Sequence, residues 1–173
     1  SRNGRAVWTA RLPPELTGAS TPRQLYVDGM RAARTSGNAS QILGNITAAS
    51  PTPLTAQSPR FGGLRGYSVT NTTLKNWMNP ADIELVYTAM MEPWIAPRCR
   101  IHSVSSDAHT LTMERCLDKI GPPRPAGQHP TWFMSGAPST VENAFELLQS
   151  PGSFYADSTT GVVHYIPRAG QDM

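Results

Sequence analysis

Along the chain, apolar and polar positions alternate in short runs separated by turn residues, and this period of two predicts strands. Val7-Trp8-Thr9-Ala10 is one such run, stopped by Pro13-Pro14. Gln24-Leu25-Tyr26-Val27 leads into Asp28-Gly29, a two-residue hairpin signal, and Met30-Arg31-Ala32 returns as the partner strand. Asp82 to Tyr87 alternates so that Ile83, Leu85 and Tyr87 share one face, leaving Asp82 and Glu84 on the side expected to face water. Arg98 to His102 alternates again, its basic side chains opposite Cys99 and Ile101. After a turn at Ser105-Ser106-Asp107-Ala108, the run Thr110 to Glu114 returns. Phe154 to Asp157, a Ser-Thr-Thr-Gly turn, and Val162 to Ile166 form a closing hairpin, ended by Pro167, which has no N–H for a ladder.

Two stretches break the alternation. Residues 35–66 are polar and lack sustained periodicity, so they read as a long loop. Residues 139–149 read as a short helix: Ser139-Thr140-Val141-Glu142 matches a capping box, Val141, Phe145 and Leu148 recur at helical spacing, and Pro151-Gly152 ends the segment. The predicted fold is mainly β, a single domain over residues 1–173 with one short helix.

Several ordered stretches then resemble one family. They are Arg23 to Gly29, Asn79 to Tyr87, Glu142 to Leu148, Pro151 to Asp157, and His164 to Arg168. Together they resemble right-handed parallel β-helix repeat proteins of carbohydrate-active type, among them β-helix glycoside hydrolases such as β-xylosidases. The resemblance runs almost end to end, weakest in the polar excursion. It implies a β-sandwich-like flanking domain inserted near the start of a β-helix, without the coils that carry the catalytic carboxylates in glycosidase members. The implied role is accessory: covering the β-helix of a parent chain and shaping a sugar site. Where the family motif reads Gly-Glu-Trp-Tyr-Leu-Asp, this chain has Gly152-Ser153-Phe154-Tyr155-Ala156-Asp157. That departure removes the Glu and Trp as sugar contacts. An exposed apolar docking patch is expected from Phe145, Leu148, Tyr165 and Ile166.

Composition narrows the class. Charged residues are 16% of 173, below the roughly 25% of an average soluble domain, and 14 glycines and 16 prolines add turns. This suits a loop-rich extracytoplasmic β domain. The net charge of +3 comes without a Lys/Arg run, so nucleic acid and membrane surfaces find little electrostatic footing. No apolar stretch approaches the roughly 18 residues of a bilayer span. The chain opens Ser1-Arg2-Asn3-Gly4, which reads as a piece of a longer, secreted protein. A Cys99–Cys116 bridge would close a loop of 16 intervening residues and stabilise by about 3 kcal/mol. A register pairing Ile101 with Met113 turns Cys116 away from Cys99, so the bridge calls for a bulge or an early strand end. Asn38-Ala39-Ser40, Asn45-Ile46-Thr47 and Asn71-Thr72-Thr73 are N-glycosylation acceptor triplets.

Candidate chemistry is sparse. A glycosidase needs two flanking carboxyl groups, and Glu142 with Glu146 is the pair that helical spacing would hold on one face. An autonomous hydrolase would use them; the competing reading makes Glu142 a helix cap and Glu146 an exposed residue. Trp94, Trp132 and Phe133 lie beside proline-rich text and are the candidate sugar-stacking residues. A third reading is a purely structural interaction module. His102, His109, His129 and His164 lack metal-ligand spacing, and neither a nucleophile elbow nor a phosphate loop occurs, so no cofactor or metal is called for.

Overall fold

The computed structural model describes residues 4–16, 21–48, 66–88, 96, 98–113 and 137–172. The fold is mainly β with one short helix, built on three sheets that do not close. The largest has seven strands: β5 (Ser36–Asn38), β11 (Thr140–Glu142), β8 (Glu84–Val86), β9 (Arg98–Val104), β10 (Thr110–Met113), β7 (Gly66–Val69) and β6 (Ile46–Ala48), in that spatial order. Every neighbouring pair in it is antiparallel. Alternation along these strands sends Tyr67, Val69, Leu85, Cys99, Ile101, Leu111, Met113 and Val141 to one face, where they form the main core with Leu43 and Leu74. Ile101 pairs with Met113, and the register shifts between Thr112 and Met113, which places a bulge in this hairpin.

The second sheet orders β1 (Trp8–Arg11), β13 (Val162–Tyr165), β12 (Ser153–Asp157) and β4 (Ala33–Arg34). The closing hairpin is present, with Asp157 opposite Val162 and Phe154 opposite Tyr165. All five residues of β12 are buried because both its faces are covered. Phe154 and Ala156 pack with Ala32, Val163 and Tyr165, while Tyr155 packs with Leu148 and Ile166 on the other side. The hairpin of β2 (Tyr26–Val27) and β3 (Met30–Arg31) is the third sheet. Asp28 and Gly29 have φ of 53° and 72°, the left-handed pair that a tight hairpin turn requires and that Gly adopts without Cβ cost.

The chain passes from one sheet to the other at Thr35, buried between β4 and β5. Its N–H donates to the Phe154 carbonyl at 2.9 Å, and its own carbonyl accepts from Asn143 N–H at 2.9 Å. Thr35 thus links the backbones of the two sheets.

Three expectations are corrected. Residues 139–149 hold no α-helix: Thr140–Glu142 is β11, paired on both sides, and Phe145–Leu147 is a single 3-10 turn. Asn143, at φ 57°, breaks the path that the capping-box pattern suggested. The short helix instead lies in the stretch expected to be loop, as α1 (Ala39–Leu43). Asn38 caps it, its Oδ1 accepting from Ser40 N–H at 2.9 Å and Gln41 N–H at 3.2 Å. Finally, three of the four residues named for an exposed docking patch are buried. Leu148, Tyr165 and Ile166 are buried within the chain, and Phe145 is partly buried against the Tyr155 ring. No helix among the described residues is long and apolar enough to cross a membrane.

Candidate functional site

The face of the large sheet opposite its main core carries an unusual concentration of charge. On this face Glu84 of β8 lies directly across from Glu142 of β11 and, on its other side, from Arg100 of β9, while Arg98 lies across from Val86. Two carboxylates in direct cross-strand register repel unless cations intervene. The cations come from far along the chain. Arg34 of β4 donates through Nη1 to Glu84 Oε2 and reaches Glu142 Oε2 at 3.5 Å, and its Nη2 donates to Thr21 Oγ1 at 3.0 Å. Arg23 grips Glu84 in bidentate fashion, at 2.8 and 3.3 Å. Arg98 donates to Glu142 Oε2 at 3.2 Å.

Burial distinguishes the members. The side chains of Arg34 and Glu84 are 6% and 5% exposed, whereas Arg23 is 57% exposed. Burial alone would push the Glu84 carboxyl up, but hydrogen bonds from Arg23 and Arg34 and their charge outweigh it and hold the carboxyl below its ordinary value. The same bond to Glu84 raises Arg23. Alternation placed Glu84 on the non-core side as expected, but that side is not solvated here: the segment carrying Thr21, Arg23 and Arg34 lies over it. Asp82 is corrected likewise, being 1% exposed.

Beside this network opens a cleft of about 490 Å³, lined by Arg23, Gln24, Arg31, Arg34, Arg98 and Glu142 together with Ala32 and Ala33. It is a concave site with convergent polar groups, of a size that holds small molecules.

Other residues of the stretches that carried the family resemblance meet at the junction of the sheets. Asn79 Nδ2 donates to Asp157 Oδ1 at 2.7 Å and to the Tyr155 hydroxyl at 3.3 Å. The Asp82 carboxylate accepts from Ser158 N–H at 2.9 Å and from the Ser158 hydroxyl. Asp157 Oδ1 also accepts from Thr159 and Thr160 N–H, at 2.8 and 3.1 Å, and so shapes the hairpin turn. Buried Asn143 donates to the Asp82 and Ala156 carbonyls and accepts from Ala156 N–H, at 3.0–3.1 Å. Arg168 binds the Tyr165 hydroxyl at 3.0 Å and the Arg31 carbonyl at 2.8 Å, tying the chain's end to the first hairpin. These motif residues are staples whose polar atoms are spent on neighbouring strands.

The other expected site residues divide. Glu142 is an ion-paired strand residue, and Glu146 is half-buried and accepts from Met78 N–H at 2.9 Å; no helix face joins them. Cys99 is buried and disulfide-bonded. Cys116, Trp94, Trp132 and Phe133 lie outside the described residues. Trp8 packs on Tyr165 with centroids 5.9 Å apart, and Trp77 packs against the main core. Asn38, Asn45 and Asn71 are all exposed. His164 stacks on Tyr155, and desolvation lowers its pKa despite the nearby Asp157 charge. Among the described residues, no group of three or more His, Cys, Asp or Glu side chains is placed to hold a metal ion.

Sequence reasoning named Glu84 without its role and missed the arginine site. The signal was present in Arg23 and Arg34, which flank a predicted hairpin, but no local pattern pairs them with a glutamate 50 or 61 residues away.

The structure overlays on part of a solved protein described as a glycoside hydrolase, with a TM-score of 0.57 and 22% sequence identity. The overlay covers 96% of this chain. The fold is shared with part of a glycoside hydrolase. The chain spans 27% of that protein's length. No family model matches the sequence, and no curated protein matches it.

Proposed function

We propose that this chain is a non-catalytic accessory domain of a secreted, carbohydrate-active β-helix protein, covering the β-helix of its parent and shaping part of a sugar site. The observation that carries this reading is the state of its carboxylates. A glycosidase pair needs one acid held protonated and one carboxylate free to act at the sugar. Glu84 is instead held ionised by Arg23 and Arg34, Glu142 is ion-paired to Arg34 and Arg98, and Asp82 and Asp157 are bonded to backbone and hydroxyl donors. The likeness to 27% of a glycoside hydrolase chain fits a component of such a protein. The isolated chain is expected to hydrolyse no aryl glycoside. Turnover above a buffer blank, abolished by Glu142→Gln, would overturn the reading in favour of an autonomous hydrolase.

Secretion has its own test. Exposed Asn38 or Asn45 is expected to carry a glycan after export from a eukaryotic host, and the Cys99 thiol to be oxidised there. Intact mass with and without a deglycosylating enzyme and reductant measures both. An unmodified mass with two free thiols would contradict the assignment.

A further inference from the structure

The cleft beside the ion-pair network holds more cationic capacity than the protein consumes. Four arginines, Arg23, Arg31, Arg34 and Arg98, line it, against the lining Glu142 and the underlying Glu84. The two carboxylates are matched by Arg23, Arg34 and Arg98. Arg31 is left over: it is exposed, and its guanidinium has no hydrogen-bond or ion-pair partner among the described residues. Arg34 adds positive charge at the cleft wall, its Nη groups held by Glu84, Glu142 and Thr21.

We propose that this cleft is a subsite for an acidic sugar, binding the carboxylate of a uronic acid or the sulfate ester of a sulfated glycan through Arg31, in the positive field of the ion-paired Arg23, Arg34 and Arg98. The proposal rests on the accessory reading for the word sugar and on the cleft alone for the negative charge. A guanidinium presents paired N–H donors that match the two oxygens of a carboxylate or sulfate. A volume of about 490 Å³ exceeds what a lone ion needs and admits a saccharide ring, with Gln24 available for its hydroxyls. Glu142 at the rim accepts from Arg98, so it keeps that guanidinium in place at the cleft wall.

The test is titration of the chain with a glucuronate-bearing xylo-oligosaccharide, a sulfated galacto-oligosaccharide and a neutral xylo-oligosaccharide, followed by calorimetry or chemical-shift change. At least one acidic probe is expected to bind, at least tenfold more tightly than the neutral one and more weakly as salt rises. Competition by free glucuronate or by sodium sulfate then identifies which oxyanion fills the site. Arg31→Ala, a change at an exposed side chain outside the ion-pair network, is expected to weaken acidic binding about tenfold without shifting the melting temperature, and Arg31→Lys to restore part of it. Three results would overturn the proposal: no acidic probe binds, neutral and acidic probes bind equally, or Arg31→Ala changes nothing. Neutral binding that ignores Arg31 would remove the acidic subsite and leave the accessory reading standing. Glycoside turnover by the chain would remove the accessory reading and leave the subsite.

Discussion

Replacing Glu84 by Gln is expected to lower stability by about 3 kcal/mol, the low end of what breaking a buried ion pair costs. The substitution leaves the Arg34 guanidinium, 6% exposed, with Thr21 and the more distant Glu142 as its acceptors. In a domain of this size the melting temperature should fall by roughly 6–12 °C. Glu142→Gln should cost less, about 1 kcal/mol, because Arg98 is 36% exposed and its charge stays solvated. The pH dependence follows from the same pair. Glu84 sits below its ordinary value of 4.5 in the folded state, so the unfolded chain takes up that proton first as pH falls. Its contribution is therefore complete above about pH 4.5 and is lost as pH drops through the folded value. His164 acts in a different window: its lowered pKa means that stability begins to fall as pH drops below its ordinary 6.5. Urea unfolding between pH 3 and 8 on the parent and Glu84→Gln separates the two. A variant as stable as the parent, with an unchanged acid limb below pH 4.5, would show that the ion pair contributes nothing.

The second large effect is expected at Asn143. Its side-chain amide binds three backbone groups, two on Ala156 of β12 and one on Asp82 in the 3-10 turn Pro80–Asp82, and its backbone N–H holds Thr35 at the crossing between sheets. Asn143→Ala orphans the Ala156 N–H and two carbonyls, at about 1–3 kcal/mol. It also forces a Cβ-bearing residue without a local polar side chain into φ 57°, at about 1 kcal/mol more. The expected total is about 3 kcal/mol. Asn143→Gly keeps the hydrogen-bond loss but relieves the backbone, so it should be about 1 kcal/mol milder. Asn143→Asp, nearly isosteric, should be at least as damaging as Ala, since it sets a carboxylate against the Asp82 and Ala156 carbonyls. Thermal unfolding of the three variants gives the order. Equal stability of Ala and Asn at this position would contradict the clamp.

Much of this architecture was legible along the chain where one short stretch decides its own conformation. Asp28-Gly29 specifies a left-handed turn by itself, and Ser158 to Gly161 closes the last hairpin with help from Asp157 next door. Alternation from Arg98 to Ile101 placed Cys99 and Ile101 inward, whereas Ile101 meets Met113 only through the register shift after Thr112. The misreadings share another cause. Ser139 to Glu142 carries a capping-box pattern, and helical spacing continues to Leu148, yet β5 and β8 offer Val141 hydrogen bonds on both sides. Pairing with two distant strands outweighs a local preference worth tenths of a kcal/mol per residue. Conversely, α1 is only five residues long, too short for periodicity to reveal, and rests on its Asn38 cap and on Leu43 in the core.

Sequence by itself determined the mainly β character, the three hairpins and which side chains of β8, β9 and β10 share a face, because these depend on backbone period and turn chemistry. Tertiary structure alone decided that the face carrying Glu84 is covered rather than wet, that Arg23 and Arg34 on either side of the first hairpin neutralise it, and that an arginine-lined cleft results. The physical reason is reach: a strand's period states which way a side chain points, but what waits there is set by residues 50 or more positions away, brought near only when the sheets assemble.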